Sequence, residues 1–224
     1  MDPVNHQEKA FVLGVGFQKT GTSTLRESLK ILGYKVKDTS LRALIPILNG
    51  NDKKLLELLD GFDAAEDTPW YIIYKKLDEL IPNTKFVLTI REEESWYLSV
   101  KKHIGKLRSA EHEWVYGRHK GLPKDDKENT LNVYNTHNAG VIEYFKDRPN
   151  DLLILDFTKG DKWDKLCAFL NLEIPETTFP HYNKSKSGEV NPKMSWFKRT
   201  RKQLRYGIKI KYIDIMKLWD SGKK

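Results

Sequence analysis

Phe11-Val12-Leu13-Gly14-Val15-Gly16-Phe17-Gln18-Lys19-Thr20-Gly21-Thr22-Ser23-Thr24 is the stretch that decides the fold. Its first six residues form a short apolar run closing on glycine, the pattern of a buried strand. From Thr22 to Leu32, Leu25, Leu29 and Leu32 share one helical face, and Gly33 stands where a C-terminal stop is expected. Strand, tight polar turn and helix make the opening unit of a parallel α/β sheet.

Working outward, Tyr34–Val36 reads as a short strand, and Leu41–Leu48 and Lys53–Leu59 as helices parted by Asn49-Gly50-Asn51. Phe62-Asp63-Ala64-Ala65 is a second core strand, followed by a helix from Pro69 to about Leu80. Lys85–Ile90 is the clearest later strand. It runs into Glu92-Glu93-Glu94, acids that suit the positive end of a helix extending to about Leu107. Residues 108–126 read as a polar, irregular lid or substrate loop. A helix carrying Leu131, Tyr134, Val141, Ile142 and Phe145 follows, then the strand Leu152–Leu155 and a helix from Lys162 to Leu170. This alternation predicts an α/β fold with a mainly parallel central sheet flanked by helices.

The chain has 224 residues, 39% of them hydrophobic and 31% charged, which suits one α/β domain with a tail. No apolar run approaches the roughly 20 residues that span a bilayer. The opening residues lack a secretory core, and the single cysteine, Cys167, excludes an internal disulfide, so a reducing, cytoplasmic setting is expected. The net charge is +8, but eleven of the 39 Lys/Arg and only two of the 31 acids follow Pro192. Residues 1–192 are therefore a nearly neutral domain, and no nucleic-acid partner is expected. The basic, aromatic tail, 193–224, has three readings: peripheral contact with an anionic membrane, contact with an acidic partner, or a final helix packed on its own domain. Burial of its aromatic residues favours the last.

The turn between the first strand and helix has the makings of a phosphate site, because backbone N–H groups and a helix N-terminus converge there. An ATP- or GTP-hydrolysing loop reads G-x-x-x-x-G-K-[ST]. Gly16 and Gly21 keep that spacing and Ser23 holds the hydroxyl position, but Thr22 replaces the lysine and the nearest lysine is Lys19. A lysine this early suits a single 5′-phosphate, or the oxygen linking it to a leaving group, rather than a Mg²⁺-bound triphosphate.

Lys19-Thr20-Gly21-Thr22-Ser23 resembles the 5′-phosphosulfate loop, K-[ST]-G-[TS]-[TS], of sulfotransferases that use 3′-phosphoadenosine 5′-phosphosulfate (PAPS). Arg91, at the end of its strand, and Ser99, eight residues on, match the pair that binds the nucleotide 3′-phosphate in those enzymes. The likeness continues through Phe62-Asp63-Ala64, Asp67-Thr68-Pro69, Glu94–Ser99 and Phe179-Pro180-His181-Tyr182-Asn183. It implies a P-loop nucleotide-binding architecture and transfer of a sulfuryl group from PAPS to a hydroxyl or amine of a small-molecule acceptor. It also implies release of 3′-phosphoadenosine 5′-phosphate (PAP) and no metal. Gln18, Lys19, Thr20, Gly21, Thr22, Ser23, Thr24, Arg91 and Ser99 are then the donor-binding residues. Thr24 stands where the aryl and steroid enzymes place an adenine-stacking tryptophan, and their Lys-Thr-His segment has no counterpart.

Lys19 is the candidate for stabilising charge on the departing 5′-phosphate. For the general base, Asp67 comes first, then Glu66 beside it at the end of the second core strand, then His103 one turn after Ser99. A capping role for Asp67 ahead of Pro69 weighs equally. Two other readings stay open: a catalytically silent PAP- or PAPS-binding module, and a nucleotide kinase or NTPase with a degenerate loop.

Overall fold

The computed structural model describes residues 9–104, 108–180 and 192–219, with the backbone alone for 192–199. The elements, in chain order, are β1 (Val12–Gly14), α1 (Thr22–Ile31), β2 (Val36–Lys37), α2 (Leu44–Leu48), α3 (Asp52–Leu59), β3 (Ala64–Ala65), α4 (Tyr74–Leu80) and β4 (Lys85–Thr89). They continue with α5 (Glu93–His103), α6 (Ala110–Tyr116), α7 (Lys127–Tyr144), β5 (Leu152–Leu155), α8 (Trp163–Leu170) and α9 (Pro192–Ile215).

The five strands form one sheet in the order β2-β3-β1-β4-β5, and each neighbouring pair is parallel. Val12 lies opposite Ala64 on one side and Lys85 on the other, so β1 is central. Period-two alternation sorts the strand residues between two cores. Leu13, Val15, Phe86 and Leu88 face a large aromatic cluster with Trp70, Tyr71, Trp96, Trp114 and Tyr134. Val12, Ala64, Val87 and Leu155 face a smaller one built by α1 and α8, with Leu25, Leu29, Trp163 and Cys167. Because β1 is followed by α1 on one face while β3 and β4 flank it, the strand order reverses between β1 and β4. Ligands of open α/β sheets bind outside the carboxyl ends of the strands at such a point.

Three expectations change. The segment after Pro69 opens as a 3₁₀ turn, Trp70–Ile73, and becomes α-helical only at Tyr74. Trp70 and Tyr71 are both fully buried, and the Trp70 indole N–H donates to the Asp38 carbonyl at 2.9 Å, so core anchoring sets this backbone. α5 ends at His103, short of Leu107. Residues 108–126 are no irregular loop, because they contain α6. The Ser109 hydroxyl accepts from the His112 N–H at 3.1 Å as its N-cap, and Trp114 and Glu113 are completely buried. Glu113 is tolerated inside because Arg108 Nε and Arg118 Nη1 reach its carboxylate at 2.9 and 3.0 Å.

The end of α9 returns to the domain. Ile213 is fully buried, Lys209 pairs with Glu111 at 2.5 Å, and Arg118 pairs with Asp214 at 2.8 Å. His181, Tyr182 and Asn183 lie outside the described residues, as does Leu107.

Candidate active site

The β1–α1 turn is bolted to its surroundings. Gly16 lies so close to β4 that a Cβ there would overlap the Thr89 hydroxyl and backbone. Thr20 Oγ1 donates to the Phe17 carbonyl at 2.6 Å, so the 2.6 Å contact between the Thr20 and Thr89 hydroxyls must take its proton from Thr89. Gly21 has φ +114°, and a Cβ there would come within 2.5 Å of the Phe157 ring. Gln18 is clamped at both ends of its amide: it accepts from Tyr71 at 2.8 Å and donates to the Tyr116 hydroxyl at 3.0 Å. The Gln18 backbone carbonyl accepts from the Trp96 indole N–H at 2.9 Å. The side chains of Gln18 and Thr20 are thus engaged by the loop's own surroundings.

Buried Thr22 and Thr24 sit inside the turn, while Lys19, Gly21 and Ser23 are partly open. Lys19 has φ +75°, a left-handed backbone uncommon for a side-chain-bearing residue and often found at ligand clamps. Gly21, the N-cap of α1, gives no side-chain hydrogen bond to the first turn, and the N-terminus of α1 lies at this turn.

Three loops converge here, from the ends of β1, β3 and β4. Burial lowers the Lys19 ammonium pKa below the usual lysine range; the Arg91 charge lowers it further, and the Asp67 charge partly opposes both. Lys19, Arg91 and Asp67 thus lie within electrostatic reach of one another. The Arg91 guanidinium donates from Nε and Nη2 to Ser95 Oγ at 2.9 and 2.7 Å. Its backbone is fixed by Tyr134, whose hydroxyl accepts from the Arg91 N–H at 3.0 Å and donates to the Arg91 carbonyl at 2.8 Å. Ser99, half-buried, lies one helical turn beyond Ser95 on the same face of α5.

Asp67 also has positive φ, +66°, and its Oδ1 accepts from the Thr68 N–H at 2.6 Å. Burial raises its pKa, against the pull of the Thr68 hydrogen bonds. Glu66 points away into the protein: it is fully buried, 3.3 Å from Arg26 Nε, and Gly14 packs on its stem. Burial, reinforced by the Asp67 charge, pushes its carboxyl up to about 8, so it is mainly protonated at neutral pH. The same Arg26 donates to Asp38 at 2.7 Å and to Ser23 at 3.2 Å, tying α1 to the loop after β2. His103 is the exposed last residue of α5. His137, buried against Phe17 and Tyr71, contacts the Val15 carbonyl at 2.7 Å, and burial lowers its pKa to about 4.

The residue pattern alone missed Ser95, the Gln18 clamp and the Arg26–Glu66–Asp38 network. Ser95 had a legible signal, since it stands four residues from both Arg91 and Ser99. The clamp had none, for its tyrosines lie 53 and 98 residues from Gln18.

No group of three or more His, Cys, Asp or Glu is placed to hold a metal ion among the described residues. No described helix is long and apolar enough to cross a membrane. The model of the sulfotransferase domain matches residues 11–122 and 112–188. The chain is also 24% identical over 239 aligned residues to Ava biosynthesis cluster protein M of Aspergillus versicolor, covering 88% of this chain and 89% of that protein. With the domain match running from β1 past α8, over most of the fold and all three converging loops, the chain belongs to the sulfotransferase-domain family.

Proposed function

We propose that the protein is a PAPS-dependent sulfotransferase acting on a small hydroxyl- or amine-bearing acceptor. The observation that carries this reading is the placement of Lys19 and Arg91 in the loops that follow the adjacent parallel strands β1 and β4, where the Arg91 charge helps to lower the Lys19 pKa, beside an α1 N-terminus that lacks a side-chain cap. One cation in the turn after β1 and another in the loop after the neighbouring β4 suit a ligand with two separate phosphate groups. The fit extends to Ser95 and Ser99, which lie on one face of α5 below Arg91 and can share the 3′-phosphate with it.

In this mechanism the acceptor oxygen attacks sulfur as the bond from sulfur to the 5′-phosphate oxygen breaks. Lys19 and the first N–H groups of α1 stabilise the charge left on that phosphate. Asp67 takes the proton of the acceptor hydroxyl. Its raised pKa brings it nearer the operating pH than an ordinary carboxylate, which favours general-base catalysis. Glu66, protonated and turned inward, cannot serve as the base while Arg26 and Gly14 hold it there. The test is PAP formation from PAPS with a panel of phenols, alcohols and amines. Acceptor-dependent PAP that vanishes in Lys19→Ala supports the reading; no acceptor-dependent turnover across the panel contradicts it.

A further inference from the structure

α9, α6 and the turn that follows Asp38 border an open cavity of about 510 Å³, within the size range of small-molecule sites. One wall of it lies close in the fold to the site above. Leu41 lines it, and the preceding Ser40 N–H donates to the Thr68 carbonyl at 3.0 Å, directly beside Asp67. Lys209 fixes this junction by donating to the Leu41 carbonyl at 2.6 Å and pairing with Glu111 at 2.5 Å.

The charge of the lining is one-sided. Arg201, Lys202, Arg205 and Lys209 face a single carboxylate, Glu111, which Lys209 already engages. Among the described residues no acid pairs with Arg201, Lys202 or Arg205. α9 is also turned the wrong way for simple packing: Leu204 and Ile208 are 66% and 63% exposed while these cations line the cavity. Clustered like charges repel, and an anion placed among them relieves that cost.

We infer that this cavity is the acceptor site and that the acceptor is an organic anion carrying a hydroxyl group, its anionic end among the α9 cations and its hydroxyl toward Asp67. The inference rests on the sulfotransferase reading for the role of the bound molecule, but its charge preference stands separately. The test uses three matched phenols on the full chain loaded with PAP: 3-(4-hydroxyphenyl)propionate, neutral 4-ethylphenol and cationic tyramine. Calorimetry should show the propionate binding at least about tenfold tighter than the other two. The preference should fall below about twofold in a Lys202→Gln, Arg205→Gln double variant, while PAP titrates as before. Both positions are exposed, so the fold should persist. Equal binding of the three phenols, no binding of any, or a preference that survives the substitutions overturns the inference. Failure of PAP to bind wild-type protein instead counts against the donor reading and leaves the charge preference to be judged on the phenols alone.

Discussion

Lys19 and Arg91 carry separable tasks, and single substitutions should separate them. In the proposed mechanism Lys19 acts on charge that grows as the sulfuryl group leaves, so its effect is larger in the transition state than in the ground state. Lys19→Ala should lower turnover by ~10²-fold or more, with a smaller loss of PAP affinity by titration. Arg91→Ala should weaken PAP far more than adenosine 5′-phosphate, by about 1.5–3 kcal/mol if one charged hydrogen-bonding partner is lost. Equal weakening of both nucleotides would make Arg91 structural. Glu66 offers a pH signature. Its folded pKa of about 8 lies above the ordinary carboxylate value, so the native state holds a proton that the unfolded chain releases. Its contribution to stability is complete below the ordinary carboxylate range and is lost as pH rises toward 8. Thermal midpoints of Glu66→Gln at pH 5 and pH 8 should therefore differ less than those of the wild type. Lys19, Asp67 and Arg91 were legible because each stands at a fixed offset from a strand end. The inward turn of Glu66 was not, since adjacent carboxylates look alike until packing separates them.

At the scale of elements, the β1–α1 turn works because its neighbours leave it one shape. Gly16→Ala should force the turn off β4, costing ~1–3 kcal/mol as overpacking usually does, and PAP binding should fall with it. Denaturant midpoints and PAP titrations on the same variant check both parts. Strands and their following loops were readable from apolar runs, and α1 from its leucine spacing and Gly33, whose φ is +81°. α6 was hidden by its charges. Glu111 and Glu113 look like surface residues, yet both are buried and paired with basic residues from Arg108, Arg118 and Lys209. Ser109 followed by two glutamates was a usable N-cap signal.

Across the whole molecule, the doubly flanked parallel sheet and the excess positive charge of the tail were both legible in the residues. The partners of that tail were not, because Ile213 meets its core, and Asp214 meets Arg118, about a hundred residues away in sequence. Ile213→Ala should cost about 2–5 kcal/mol, read as a lower denaturant midpoint, because a fully buried side chain is truncated at the joint between tail and domain. The central claim is that the turn at Lys19 and the end of β4 together hold a nucleotide with separate 5′- and 3′-phosphates, without a metal. It is tested most directly by calorimetric titration of the full chain with PAP in the presence of a chelator, compared with ATP plus Mg²⁺. The account predicts PAP binding at micromolar affinity or better and markedly weaker Mg²⁺-ATP; equal or tighter binding of Mg²⁺-ATP would contradict it.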